Sequence, residues 1–204
     1  MLHLRTLAVI PLAATLLFAA CGDDDDSPDP TATTGAGTPA TTAPGETPGA
    51  TGTPFEGDTA PVTATAQAGL EPPLLRDVRA ASHEGYDRFV LEFEGDGIPG
   101  YSVSYTTDAI ACGSGEDKAA ELGEGTVPAA ILRIQVQPAN AHTEEGEATA
   151  PLTLEPNLST LRAALLTCDF EADVTYHLAL TAEQPFAVST ENDPPRLVVD
   201  IAND

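Results

Sequence analysis

Asp87-Arg88-Phe89-Val90-Leu91-Glu92-Phe93-Glu94 is the stretch that decides the fold class. Phe89, Leu91 and Phe93 recur at every second position, with Glu92 between two of them and Arg88 and Glu94 at the flanks. Side chains of an extended chain point alternately to opposite sides, so this pattern buries one face of a strand and wets the other. A helix would scatter the same three apolar residues around its circumference.

The same alternation recurs on both sides of this stretch. Tyr101, Val103 and Tyr105 share a face against Ser102 and Ser104. Leu132, Ile134 and Val136 alternate with Arg133, Gln135 and Gln137. Val174, Tyr176, Leu178 and Leu180 alternate with Thr175, His177 and Ala179, and Leu197, Val199 and Ile201 with Arg196, Val198 and Asp200. Turn-forming runs separate them: Gly95-Asp96-Gly97, Pro99-Gly100, Gly113-Ser114-Gly115 and Asp193-Pro194-Pro195. One segment departs from the rule. Leu158, Leu161, Leu165 and Cys168 follow a three-to-four spacing, with Ala163 and Ala164 favouring helix and Asn157 or Ser159 able to cap it. The expectation is a mainly β domain, a β-sandwich or partly open barrel of about seven or eight strands with one short helix, with a mixed α+β layer as the alternative. Tyr101, Tyr105 and Tyr176 are expected in its core.

Composition sets the boundaries of that domain. Residues 70–204 hold eight of the ten aromatics and seven of the eight Lys and Arg, with a net charge of 7 minus 24, or −17. Such an acidic balance argues against general binding to nucleic acid or anionic wall polymers. Residues 27–69 contain 12 Thr, 9 Ala, 7 Pro and 7 Gly among 43, no Lys or Arg, and Phe55 as their one aromatic. That composition predicts a disordered spacer over residues 21–69, spanning roughly 35–40 Å as a random coil.

The start of the chain reads as an export signal over residues 1–20. Arg5 precedes an apolar run of 14 residues, Leu7 to Ala20, which is shorter than the roughly 20 needed to cross a bilayer. Leu16-Leu17-Phe18-Ala19-Ala20-Cys21 resembles the bacterial lipobox, in which the cysteine becomes the first mature residue and carries lipid. The expected location is therefore the extracytoplasmic face of the cell membrane, held through lipid on Cys21; an ordinary secretory signal with a chance cysteine is the alternative. The four acids Asp23 to Asp26 repel an anionic surface and push the chain outward.

Cys112 and Cys168 remain as an even pair in a disulfide-permissive compartment. A bridge would close a loop of 57 residues, stabilising by about 4 kcal/mol in the chain-entropy model. Two separate buried thiols are the alternative. Gly113-Ser114-Gly115 lacks the glycine two before serine that a nucleophile elbow requires, because that position is Cys112. His142 stands near Glu144 and Glu145, a pattern that suits a solvated loop or a weak ion site. Asp169, Glu171 and Asp173 resemble the start of a calcium loop, but Val174 occupies the position that needs glycine. An acidic strand edge is the simpler reading. No catalytic set, metal set or cofactor motif stands out.

Several islands taken in order carry a family resemblance. They are Gly85-Tyr86-Asp87-Arg88-Phe89-Val90-Leu91-Glu92-Phe93, Pro99-Gly100-Tyr101-Ser102-Val103, Gly113-Ser114-Gly115, Pro138-Ala139-Asn140-Ala141-His142, Asp169-Phe170-Glu171, and Asp193-Pro194-Pro195-Arg196-Leu197-Val198-Val199-Asp200-Ile201. Together they resemble the AMIN-like domain of bacterial lipoproteins and secreted proteins, over most of residues 74–202. The resemblance implies a β-sandwich that binds peptidoglycan or an envelope partner and is not an enzyme. Arg88 and Arg196 are candidate ligand residues because both lie opposite the apolar face of their strands; pairing with a carboxylate such as Asp87 or Asp200 is their structural alternative. His142 is the third candidate. A small-ligand or metal-ion-binding lipoprotein, and an envelope hydrolase using scattered carboxylates, are the competing functional readings.

Overall fold

The structure is a computed structural model, and it describes residues 55–123 and 127–203. The signal segment, Cys21 and residues 22–54 of the spacer lie outside the described residues.

The alternating stretches pair as antiparallel strands in two sheets. The four-stranded sheet has the order β2-β3-β10-β9, from β2 (Leu75–His83), β3 (Tyr86–Phe93), β9 (Phe186–Asn192) and β10 (Pro195–Ala202). The six-stranded sheet runs β1-β4-β5-β8-β7-β6, from β1 (Val62–Ala64), β4 (Gly100–Thr106), β5 (Ala130–Gln137), β6 (Thr153–Leu154), β7 (Leu161–Phe170) and β8 (Asp173–Leu180). Phe89, Leu91 and Phe93 of the first sheet share one buried cluster with Leu132, Ile134, Tyr176 and Leu178 of the second. The two sheets therefore pack face to face as a sandwich. The described residues hold ten strands rather than seven or eight, the extra ones being short or irregular.

Tyr176 is fully buried and donates to the Pro151 carbonyl at 2.6 Å. Tyr101 and Tyr105 are only half-buried against the core edge, where the Tyr105 hydroxyl reaches the Gln184 carbonyl at 2.6 Å.

Two expectations need correction. The helix expected around Leu158 to Cys168 is strand β7, and the short helix is α1 (Ala119–Leu122). β7 hides its period because both its faces are covered. Leu161 and Ala164 enter the main core, while Ala163 and Leu165 pack outward against Ala109, Ala119 and Leu122. Register shifts at Leu161/Ala163 and at Leu166/Cys168 then slip the phase twice, as β-bulges do. The second correction concerns the spacer, whose last 15 residues, 55–69, are described as part of the body. Val62, Thr63 and Ala64 pair with Val103, Ser102 and Tyr101, and Asp58 exchanges backbone hydrogen bonds with Phe186 at 3.1 and 2.9 Å.

The segment carrying α1 lies against the outer face of the six-stranded sheet. A Cys112–Cys168 disulfide, with its Cα atoms 5.2 Å apart, ties it to β7. The Cys112 N–H also donates to the Thr167 carbonyl at 3.1 Å. Gly113-Ser114-Gly115 is a turn: Gly115 has φ 70° and its N–H reaches the Ala111 carbonyl at 2.8 Å. Among the described residues no helix is long and apolar enough to cross a membrane.

Candidate functional site

Strands β3 and β10 carry the two most specific motifs, and they lie side by side. Their register pairs Arg196 with Glu92, Val198 with Val90, and Asp200 with Arg88. All six side chains project from the outer face of the four-stranded sheet, opposite Phe89, Leu91, Leu197 and Val199. β2 adds Asp77 and Arg79 to this face, and β9 adds Glu191.

The result is a lattice of charge pairs. Arg88 donates from Nε and Nη2 to the two oxygens of Asp200 at 2.7 and 2.8 Å. Arg196 donates from Nε to Glu92 at 2.8 Å and from Nη1 to Glu191 at 2.6 Å. Arg79 reaches Asp77 at 2.5 Å and Glu92 at 3.1 Å. Three arginines thus meet four carboxylates, and the face carries little net charge. The hydrogen bonds from Arg196 and then Arg79 hold the Glu92 carboxyl below its usual range, and Asp200 raises the Arg88 guanidinium. Val90 and Val198 point outward yet are only 6% and 2% exposed. They line one recess with the side chains of Arg79, Arg88 and Arg196, whose apolar stems can cover them. A recess of about 300 Å³ is lined by Arg79, His83, Arg88, Val90, Glu191 and Arg196, among others.

An aromatic corner closes one end of this face. His83 and Tyr86 stack with ring centroids 4.8 Å apart and planes 13° apart. The Arg88 guanidinium lies 5.3 Å from the Tyr86 centroid, within cation–π range. Phe55 approaches Tyr86 at 6.2 Å. Sequence reasoning missed Tyr86 and His83. Tyr86 shares the register of Arg88, and that is the signal that could have revealed it.

Asp87 is not the partner of Arg88. It turns inward, is fully buried, and accepts the N–H groups of Thr160 and Leu161 at 2.8 and 3.0 Å and the Asn203 amide at 2.9 Å. Burial alone would raise its carboxyl, but these bonds outweigh burial and hold it below the usual carboxylate range. Asp87 therefore ties β3 to the start of β7 in the opposite sheet.

His142 stands apart from the arginine face. Its Nδ1 is 2.7 Å from Asp169, whose other oxygen accepts the Ala141 N–H at 2.9 Å. Glu144 and Glu145 sit exposed in the adjoining turn, so the imidazole and these acids are not brought together as an ion site. The described residues contain no group of three or more His, Cys, Asp or Glu able to hold a metal ion. Asp173, expected on an acidic edge with Asp169, is bonded to Gln135 and Thr175.

His177 is 3% exposed on the outer face of the six-stranded sheet, with Nδ1 2.8 Å from the Thr167 hydroxyl. Burial, and then the charge of Arg133, push its imidazole down to about 4. It stays neutral at ordinary pH.

A family model described as the AMIN-like domain matches residues 73–203, which covers nine of the ten strands. No curated protein and no solved structure matches the chain.

Proposed function

The chain belongs to the AMIN-like domain family, and from that membership we propose a lipid-anchored, extracytoplasmic module that holds peptidoglycan without catalysis. AMIN-like domains are generally non-catalytic binding domains of the cell envelope associated with peptidoglycan. Lipid on Cys21 and the Thr/Pro/Gly-rich stretch after it would limit the module to targets within spacer reach of the membrane.

The observation that supports a specific face is the juxtaposition of the two motif strands. β3 and β10 turn Arg88, Glu92, Arg196 and Asp200 onto one side, next to Tyr86. These charges already cancel one another, so the face offers fixed donors and acceptors rather than a field. That chemistry suits an uncharged polymer rich in hydroxyl and amide groups, such as the glycan strand of peptidoglycan, and not a polyanion. Tyr86 supplies an apolar ring beside the polar lattice. No specific observation favours the metal-ion or hydrolase readings.

Co-sedimentation of residues 22–204 with purified peptidoglycan tests the binding claim. Enrichment over an unrelated acidic domain is expected, and equal sedimentation would remove it. The anchor has its own test. Cys21→Ala should move the protein from the membrane fraction to the soluble fraction, and retention in membranes with the signal cleaved would refute lipid attachment.

A further inference from the structure

Residues 55–69 precede the family-matched stretch, which begins at residue 73, yet they are fastened to both sheets. Val62, Thr63 and Ala64 pair with β4, and the backbone of Asp58 exchanges two hydrogen bonds with Phe186 of β9. The Asp58 carboxylate also accepts the Ala60 N–H at 3.0 Å, a local turn between these two attachments. The rings of Tyr105 on β4 and Phe186 on β9 meet at 5.9 Å, so both attachments lie on one side of the sandwich. Phe55 stands at the start of this strap and is the one aromatic among residues 27–69. Its ring lies over Gly57, where a Cβ would meet Cε1 of Phe55 at 2.4 Å and the Phe186 backbone at 2.9 Å. Any other residue at 57 would displace the ring or lift the strap from β9. From this seat the ring approaches Tyr86, with centroids 6.2 Å and planes 38° apart.

Tyr86 connects Phe55 to the recess on the outer face of the four-stranded sheet. His83 and Arg88 line that recess, whereas Tyr86 and Phe55 do not. Tyr86 touches both lining residues, stacking on the His83 imidazole at 4.8 Å and lying 5.3 Å below the Arg88 guanidinium. His83 is exposed, and Tyr86 is its one ring contact among the described residues. Asp200 fixes Arg88 from the other side. Tyr86 opens β3 directly after the turn from β2, so its ring stands at an end of the sheet. Two of its ring and guanidinium contacts come from this same hairpin, and they are the groups it orders. Phe55 is the contact that comes from a different part of the chain.

We propose that Phe55 is a positioning residue of the four-stranded face: it backs Tyr86, which holds His83 and Arg88 on the wall of the recess. The binding surface is then complete only with the strap in place, although the strap lies outside the family-matched residues. The segment that joins the module to its spacer thus also sets the geometry of the site. A binding group must be locked by the packing behind it to keep its geometry, and an aromatic ring does this at small entropic cost. The proposal rests on the reading of this face as the peptidoglycan-binding surface.

Peptidoglycan isotherms and side-chain NMR of residues 22–204 test it, for the native chain and for Phe55→Ala, Phe55→Tyr and Leu166→Ala. Phe55→Ala should weaken binding severalfold at a temperature where it is fully folded, and should move the His83 ring and Arg88 Nε–H signals. Phe55→Tyr keeps the ring and should bind as the native chain does. Leu166 packs at the core edge in the other sheet. Leu166→Ala should lower Tm yet leave the affinity and both signals unchanged, which separates positioning from stability. Native affinity in Phe55→Ala, His83 and Arg88 signals that stay in place, or an equal loss of affinity in Leu166→Ala would overturn the proposal. If the native chain itself fails to bind, the peptidoglycan reading falls, and the His83 and Arg88 signals still decide whether Phe55 positions the recess.

Discussion

Asp87 and Arg88 are neighbours in the chain and act on opposite sides of the same sheet. The carboxylate of Asp87 points into the sandwich and takes two backbone N–H groups from Thr160 and Leu161. The guanidinium of Arg88 points outward and grips Asp200 at two points. One dipeptide thus contributes both to holding the two sheets together and to ordering the outer face.

Removing the inward member should be costly. Asp87→Ala strands the buried N–H groups of Thr160 and Leu161 and removes one acceptor of the Asn203 amide, a loss on the order of 3 kcal/mol or more. Asp87→Asn keeps one acceptor and should lose less. Urea unfolding checks both, with the midpoint falling and the slope unchanged. The Asp87 carboxyl is depressed in the folded state. Its stabilisation is therefore present above its unfolded value, near 3.8, and is lost as pH falls through the lower folded value. The alanine variant should lack that acid-linked loss.

The outward member should matter less. The Arg88 and Asp200 side chains are 32% and 17% exposed, so their pairing is partly screened. A double-mutant cycle with Arg88→Ala and Asp200→Ala should return a coupling of about 1 kcal/mol, decreasing with salt. Arg88→Ala alone should exceed that figure slightly, because its stem also shelters Val90 and Val198.

His177 predicts a second acid transition at milder pH. Its imidazole is depressed from 6.5 to about 4 by burial and by Arg133. In the unfolded chain it takes up a proton as pH falls below 6.5, while the folded chain resists until about 4. Stability should fall across that window and then level off for this group. His177→Gln should flatten the slope between these limits in pH-dependent thermal melts.

Reducing the Cys112–Cys168 bridge, or replacing both residues with serine, should lower stability by up to about 4 kcal/mol. The bridge spans a sequence separation of 56 residues. The α1 segment should respond first, because it depends on the small cluster of Ala109, Ala119 and Leu122 against β5, β7 and β8. Hydrogen exchange at the Cys112 and Leu122 amides would read that loosening directly.

Five strands could be read from period-two alternation because mostly polar or small residues alternate with the core-facing ones, even in β8, whose outer Thr175, His177 and Ala179 are also buried. β7 could not, since its outer residues Ala163 and Leu165 are covered by Ala109, Ala119 and Leu122, far earlier in the chain, and two bulges break its phase. β1 could not either. Val62, Thr63 and Ala64 sit in a low-complexity run and become a strand through hydrogen bonds from β4, not through a pattern of their own. The outward register of Arg88 and Arg196 was legible, but their saturation by Asp200, Glu92 and Glu191 depends on which strands become neighbours. Arg133 looked like any polar residue between Leu132 and Ile134. Only the assembled sheet shows that its Nε is buried without a hydrogen-bond partner among the described residues.

The most direct test of the account is the binding isotherm of residues 22–204 on purified peptidoglycan, for the native chain and for Tyr86→Ala/Arg196→Ala. The account predicts saturable binding by the native chain and at least tenfold weaker binding by the variant, with both folded by circular dichroism. Equal isotherms for the two proteins would contradict the assignment of the four-stranded face. No binding above an unrelated acidic domain would contradict peptidoglycan recognition itself.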